Sequence, residues 1–125
     1  MTTFHAVVWM DHSQAHVLMF DKEHVEAQRV KARSHHTPKH GHVGADKDFF
    51  KQVADALTGV AEVLVTGPAN AKIEFRDFCK HNAHAVDKAI VDVVSSDHPT
   101  DAQLVARARQ CFLKFDQTAS DPTQP

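Results

Sequence analysis

The stretch from Ala61 to Lys80 constrains the fold more than any other part of the chain. It opens with Val63-Leu64-Val65, an uninterrupted apolar run typical of a buried parallel strand. Thr66-Gly67-Pro68 ends the run, because glycine adopts backbone angles that other residues resist and proline suits the first turn of a helix. Apolar residues then recur at a helical spacing: Ile73, Phe75, Phe78 and Cys79. The pattern predicts a strand, a tight turn and a covering helix, the unit from which α/β proteins are built. Neither the Walker nor the dinucleotide glycine pattern is present, so this turn is not predicted to be a phosphate loop.

Length and composition exclude several classes of protein. A chain of 125 residues is the size of one domain and can bury a core without disulfides. Cys79 and Cys111 fall in helical patterns and form no CxxC pair, which predicts free, buried thiols in a cytoplasmic protein. The N-terminus lacks a signal-peptide pattern and no apolar run is long enough to cross a bilayer, so no membrane partner is expected. The net charge of −2 argues against bulk attraction to nucleic acid, although 11 histidines make the charge sensitive to mild acid.

The N-terminal third of the chain predicts an antiparallel meander. Residues 4–9 and 15–20 are apolar enough for two strands of a hairpin. The side chains of Asp11 and Ser13 between them suit a turn, because they can accept hydrogen bonds from nearby backbone N–H groups. The more polar residues 24–31 predict a third strand at a sheet edge, where charges discourage further pairing.

The C-terminal half predicts two further helices and one more strand. Asp46 suits the N-cap of a helix over residues 47–57, and residues 89–94 predict a short, mostly apolar strand. Residues 100–103 match a capping box, and the helix that follows is predicted to end near Phe115. Its buried side is predicted to comprise Leu104, Val105, Ala108, Phe112 and Leu113.

The predicted order of elements is β-β-β-α-β-α-β-α. Three antiparallel strands followed by two strands with helical crossovers describe a mixed five-stranded sheet covered by helices. This is an α/β architecture of the ribonuclease H-like kind. We expect one domain over residues 1–115 and a frayed tail over residues 116–125.

The segment between the third strand and the first helix is rich in histidine and basic residues and almost devoid of apolar ones. Three interpretations of this segment are open. It is a solvated loop without a dedicated ligand. Alternatively, it contacts the phosphate backbone of RNA, since it carries the cations and flexible glycines that such contacts need. The third interpretation is a Zn²⁺ or Ni²⁺ site, since neutral imidazole suits both ions, although no cysteine or carboxylate stands at a standard spacing. The metal candidates are His35, His36, His40 and His42.

Several pieces of the sequence together resemble a known family. The hairpin with Asp11 at its turn, the basic loop that enters a helix, VLVTGPANAK and VSSDHPTDAQLVA resemble the middle domain of class I peptide-chain release factors and Pelota. The chain is similar above all to the small bacterial relatives of that domain that are named translational machinery proteins. The resemblance covers residues 4–115.

The resemblance implies a place in translation. In release factors, the loop between the third strand and the first helix carries a Gly-Gly-Gln motif that reaches the peptidyl-transferase centre. The corresponding residues 40–45 here contain two separated glycines and no glutamine. The resemblance therefore implies docking on a ribosome or ribosomal RNA without peptide release. The residues assigned to this contact are Arg33, Lys39, His40, Gly41, His42, Gly44 and Lys47.

Catalysis is not expected. Two-metal hydrolysis needs converging carboxylates, and Asp11, Glu26 and Asp92 fall in a turn, a polar strand and another strand. We interpret Asp11 as a turn former and Asp92 as a solvent-facing residue. No serine lies in a GxSxG elbow. Lys72, Arg76 and Lys80 share a helix face, which is typical of a solvated charged surface. The expected function is a non-enzymatic ribosome or RNA contact, with a metal- or acid-responsive binding protein as the alternative and no required cofactor.

Overall fold

The computed structural model describes residues 4–32 and 42–120, with side chains described for residues 4–32 and 47–115. Five strands form one sheet: β1 His5–Met10, β2 Gln14–Phe20, β3 Val25–Lys31, β4 Glu62–Gly67 and β5 Ile90–Ser95. Four helices complete the described part: α1 His42–Ala56, α2 Ala71–Asn82, α3 His84–Ala89 and α4 Asp101–Ser120.

The sheet has the mixed topology that the sequence predicts. Its strand order is β3-β2-β1-β4-β5. The pairs β1–β2 and β2–β3 are antiparallel, whereas β1–β4 and β4–β5 are parallel. The α/β fold with a five-stranded mixed sheet is confirmed.

Two helix boundaries differ from those predicted, and one helix is additional. α1 begins at His42, so Asp46 lies inside the helix and is not its N-cap. A cap preference is worth only about 1 kcal/mol, and one added turn of helix can outweigh it. The short helix α3 was not predicted, because its six residues run directly into the apolar pattern of β5. α4 continues to Ser120, beyond the predicted end near Phe115. The tail predicted over residues 116–125 is therefore helical as far as Ser120, and residues 121–125 lie outside the described residues.

The sheet separates two apolar clusters because successive strand residues point to opposite faces. One face, with Ala6, Val8, Val17, Val63 and Val65, packs against apolar side chains of α1, α2 and α3. The other face carries Val7, Trp9, Leu18, Phe20 and Leu64. It packs against α4 through Leu104, Val105, Ala108 and Phe112. These four α4 residues were predicted to be buried; Leu113 was predicted with them and is 61% exposed.

α2 shows where helical spacing misleads. Phe75 and Cys79 are fully buried as predicted, but Ile73 is 56% exposed. Lys72, which the spacing places with Arg76 and Lys80 on a solvated face, is instead buried, with its Nζ donating to the carbonyl of Ala69. The two other cations are exposed. The charged face of α2 is therefore narrower than the sequence indicates.

Both edges of the sheet carry polar features. All residues of β3 except Val30 are exposed, which confirms the predicted polar edge strand. At the opposite edge, Asp92 of β5 is exposed, as predicted, and its Oδ1 accepts a hydrogen bond from the N–H of Val93 at 2.8 Å. No helix in the described part of the chain is both long and apolar enough to cross a bilayer.

Candidate nucleic-acid interface

The predicted contact segment leaves the sheet at one particular end. Because β1, β4 and β5 are parallel, their last residues lie at the same end of the sheet, which we call the carboxyl end. β2 begins and β3 finishes there too, since each is antiparallel to its neighbour. The N–H of Ala32 donates to the carbonyl of Ser13 in the β1–β2 turn at 2.9 Å. In open α/β sheets, the carboxyl ends of the strands are where ligands bind.

Asp11 builds the β1–β2 turn. Its Oδ1 accepts hydrogen bonds from the N–H and the hydroxyl of Ser13, both at 2.8 Å, and from the N–H of Gln14 at 2.9 Å. Partial burial acts to raise the pKa of Asp11, but these hydrogen bonds outweigh it and hold the pKa below its usual value. The prediction that Asp11 is a turn former is confirmed.

The loop from β5 to α4 is fixed to the same end of the sheet by two contacts. The buried hydroxyl of Thr66 donates to the hydroxyl of Ser96 at 2.8 Å, and the N–H of Ser96 donates to the carbonyl of Gly67 at 3.0 Å. The predicted capping box then starts α4: the N–H of Gln103 donates to Oγ1 of Thr100 at 3.2 Å, and the N–H of Thr100 donates to the Gln103 side chain at 2.9 Å. This loop therefore has little freedom, because both of its ends are hydrogen-bonded.

An aromatic cluster of Trp9, His16 and His98 lies at the carboxyl end, and we call it the Trp9 cluster. The buried indole of Trp9 donates its Nε1–H to the carbonyl of Asp97 at 2.7 Å. The His98 ring lies over the indole with centroids 4.2 Å apart, and the His16 ring lies 5.6 Å from it. The two imidazoles are 6.3 Å apart.

The Trp9 cluster was not anticipated from the sequence, although one part of it was accessible. The apolar run over residues 4–9 favours a buried Trp9, but it does not indicate the contact of the indole N–H with the β5–α4 loop. Hairpin register places His16 directly across from Trp9, so a count outward from the Asp11 turn would have paired them. His98 joins them from 89 positions along the chain from Trp9, and no local pattern indicates that contact.

The same register extends the cluster into a row across the sheet. Arg29 on β3 pairs with His16, His16 pairs with Trp9, and Trp9 pairs with Thr66 on β4. Directly paired residues point to the same face, so these four side chains stand side by side on the α4 face. Burial and the positive charge of Arg29 lower the pKa of His16, while Asp101 at 3.9 Å acts in the opposite direction.

The predicted contact residues divide between described and undescribed parts of the chain. Arg33, Lys39, His40 and Gly41 lie outside the described residues. His42, Gly44 and Lys47 belong to α1, which corrects the expectation that the whole of residues 33–47 forms a loop. Lys47 is exposed, and the side chains of the other two are not described.

The predicted metal ligands are distributed in a similar way. His35, His36 and His40 lie outside the described residues, and for His42 only the backbone is described. Elsewhere in the described residues, no group of three or more histidine, cysteine or acidic side chains is arranged to hold a metal ion. Cys79 and Cys111 are free thiols, as predicted, although Cys111 is only partly buried.

Comparison with known proteins shows a likeness of fold. No family model matches the chain, and a search of curated proteins finds no match. Among solved structures, Pelota of Archaeoglobus fulgidus superposes with a TM-score of 0.62 at 19% identity, over 86% of this chain and 31% of Pelota. The archaeal translation termination factor aRF1 superposes with a TM-score of 0.58 at 14% identity, over 97% of this chain and 42% of that one.

A eukaryotic structure gives the same result. Dom34 of S. cerevisiae, a translation termination-like factor involved in RNA quality control pathways and interacting with Hbs1, superposes with a TM-score of 0.60 at 12% identity. The match covers 94% of this chain and 36% of Dom34. This chain therefore spans less than half the length of each of these proteins, and it shares the fold of one part of them. The fold that the sequence resemblance implies is confirmed.

Proposed function

We propose that this protein is a cytoplasmic, non-enzymatic factor of translation that contacts the ribosome or RNA through residues 33–47. The proposal rests on the position of one segment in the fold. Residues 32–41 connect β3 to α1 in a fold shared with translation termination factors, the place where the family resemblance puts the loop that reaches the ribosome. We infer the contact from this position and from the charge of the segment.

The charges around the segment favour an anionic partner. Lys31 at the end of β3 and Lys47 in α1 are both exposed, and they lie on either side of the connection formed by residues 32–41. Arg33 and Lys39 add two cations within it. Lys51 is exposed as well, but its Nζ lies 3.0 Å from the Asp55 carboxylate, so part of its charge is compensated. Phosphate groups are the partners that such an arrangement of cations binds well.

The same segment argues against peptide release. Release factors carry the Gly-Gly-Gln motif at this place, and the residues between His40 and Ala45 contain no glutamine. We therefore propose docking without hydrolysis. Asp11 fits this proposal, because its Oδ1 is used by three hydrogen bonds within the turn.

Sedimentation of the protein in native lysate tests the proposal. A tagged copy is run on sucrose gradients at low and moderate salt, at pH 6.5 and at pH 7.5. The wild-type protein is expected to travel with ribosomal particles, more so at low salt and at the lower pH, where histidines gain charge. The triple variant Arg33→Ala, Lys39→Ala and Lys47→Ala is expected to stay at the top of the gradient.

A matched variant distinguishes a specific role of residues 33–47 from an effect of the total charge of the protein. Lys80, Lys88 and Lys114 are three exposed cations on α2, α3 and α4. Their combined replacement by alanine removes the same charge and should leave the protein with the particles. Wild-type protein that stays at the top under every condition contradicts the proposal. The four histidines would then be the residues to examine by titration with Zn²⁺.

A further inference from the structure

Within the described part of the chain, no helix covers β3 on the α4 face of the sheet. α4 packs on residues of β1, β2 and β4, whereas every β3 side chain on this face is exposed. A groove between the β2–β3 hairpin and the start of α4 is lined by His16, Leu18, Ala27, Gln28, Arg29 and Asp101. We call the surface formed by the exposed residues Arg29, Lys31 and His98, together with the partly buried His16, the open sheet face.

Two exposed cations stand on β3 at the edge of the open sheet face. Arg29 and Lys31 are two residues apart on β3, so both side chains lie on the α4 face. Both are exposed, and within the described ranges neither has an ion-pair partner. Their spacing along the strand is about 7 Å, which is close to the distance between successive phosphates of an extended single strand. These two groups are placed to hold a nucleic-acid backbone.

An aromatic platform stands next to the cations. His98 is exposed, and one side of its ring rests on the buried indole of Trp9. Asp97 and Thr100 hold the loop that carries His98, through the Trp9 Nε1–H bond and the α4 capping box. The protein's own contacts thus hold the loop in place, and the His98 side chain that it carries is exposed. A flat ring that is held in place beside cations is what nucleobase stacking requires.

From this combination we infer that the open sheet face binds single-stranded RNA, with a base stacked on His98 and phosphates held by Arg29 and Lys31. The inference rests on the proposed function, since it takes RNA as the partner and extends the contact from residues 33–47 onto the sheet. In the row Arg29–His16–Trp9, the partly buried His16 and the buried Trp9 connect the exposed cation to the indole on which His98 packs. Asp101 lines the same groove as Arg29 and lies 3.9 Å from His16, so its carboxylate would repel phosphate between these residues and His98. The backbone is therefore expected to run along β3.

Binding of a labelled oligonucleotide measures the two kinds of contact separately. The probe is a fluorescein-labelled single-stranded RNA of about 12 nucleotides, a length within the range that one single-strand-binding OB-fold domain covers. The affinity is measured by anisotropy at several salt concentrations. Arg29→Gln and Lys31→Gln should each reduce the slope of log K against log salt by about 0.7, because each removes one phosphate contact. His98→Ala should weaken binding by about fivefold or more and leave the slope unchanged, because stacking releases no counter-ion.

Intrinsic fluorescence gives an independent readout. Trp9 is the only tryptophan and the chain has no tyrosine, so emission reports on the Trp9 cluster alone. RNA binding should change the Trp9 emission of the wild-type protein and leave that of His98→Ala nearly unchanged. His98→Phe keeps a flat ring and should retain most of the affinity. Thermal unfolding of each variant establishes that these exposed substitutions leave the fold intact.

Matched controls lie on the opposite side of the molecule. Lys88 and His84 are exposed residues of α3, which packs on the other face of the sheet. Lys88→Gln and His84→Ala should alter neither the slope nor the affinity.

The possible outcomes separate this inference from the proposed function. If RNA binds, but Arg29→Gln, Lys31→Gln and His98→Ala behave as the controls do, the open sheet face is not the site and the proposed function stands. If heparin binds in place of RNA and its affinity depends on His98 to the same extent, the surface recognises polyanions in general and the assignment of RNA is wrong. If no RNA binds the wild-type protein, the inference is overturned, and sedimentation with ribosomal particles decides the proposed function separately.

Discussion

Replacement of Gly67 by alanine tests the close approach of β1 and β4 at the carboxyl end. A Cβ atom at this position would lie 2.0 Å from the carbonyl oxygen of Met10 in the neighbouring strand. Real Cβ contacts are not found below 3.0 Å, so the two backbones would have to separate by about 1 Å. The obstacle is backbone within a paired sheet, so it cannot rotate away as a side chain would.

The expected loss of stability follows from three contributions. Gly67 has a φ of +156°, and a residue with a Cβ pays about 1–3 kcal/mol in a conformation that is essentially restricted to glycine. Movement of β4 also weakens the bond from the N–H of Ser96 to the carbonyl of Gly67, worth about 1 kcal/mol. Overpacking of a well-packed region adds about 1–3 kcal/mol. We therefore expect a loss of at least about 3 kcal/mol, a large share of the roughly 5–15 kcal/mol that stabilises a typical domain.

Gly59→Ala is the matched control for this substitution. Gly59 also has a positive φ, +87°, but a Cβ atom added there would have nothing within 4 Å of it. Its replacement should cost only the conformational strain, about 1–2 kcal/mol. Urea unfolding followed by far-ultraviolet circular dichroism measures both variants, and the Gly67→Ala protein should unfold at clearly lower urea than the Gly59→Ala protein. Equal midpoints for the two would refute the argument from the Met10 contact.

Three further substitutions or treatments have defined outcomes. The lowered pKa of His16 means that the unfolded chain binds more protons below about pH 6.5, so this residue's contribution to stability is present above that pH and is lost on acidification. His16→Gln should therefore make the melting temperature fall less between pH 7 and pH 5, and an unchanged fall would contradict the assignment. Thr100→Ala removes the N-cap of α4 and should cost about 1 kcal/mol in urea unfolding, whereas Thr100→Ser should cost much less. Burial raises the pKa of the Cys79 thiol to about 12 and raises that of Cys111 as well, so both should react slowly with iodoacetamide at pH 8. Mass spectrometry should find Cys111 modified before the fully buried Cys79, and the reverse order would contradict the packing of α2.

The sequence predicted the succession of strands along the chain and the buried faces of most elements, because both depend on short-range periodicity. β3 is a polar edge strand and Thr100 caps α4, as predicted. Errors arise where a residue lies at the boundary of an apolar face. Ile73 and Leu113 have the right spacing to be buried, but each stands on the flank of its helix and is exposed. Which flank of a helix is exposed to solvent depends on the elements packed beside it, and the sequence of that helix alone does not indicate where those elements lie.

The candidate site could be predicted only in part. The basic segment is evident from composition, and Asp11 is evident as a turn residue from its chemistry. The platform at His98 depends on a contact between β1 and the β5–α4 loop, which is set by the packing of α4 over the sheet. Such long-range contacts leave no periodic signal in the sequence, so the Trp9 cluster became visible only in the structure.

The hydrogen bond from Val93 to the Asp92 side chain has a consequence for behaviour at high concentration. An unpaired edge strand offers its backbone N–H groups to any other extended chain, which is how sheets grow into aggregates. At β5 one of those groups is already bound to the strand's own carboxylate. A strand that approached this edge would have to displace a charged acceptor and bury it or push it aside. Asp92 therefore acts as a barrier to self-association at this edge of the sheet for as long as the protein is folded.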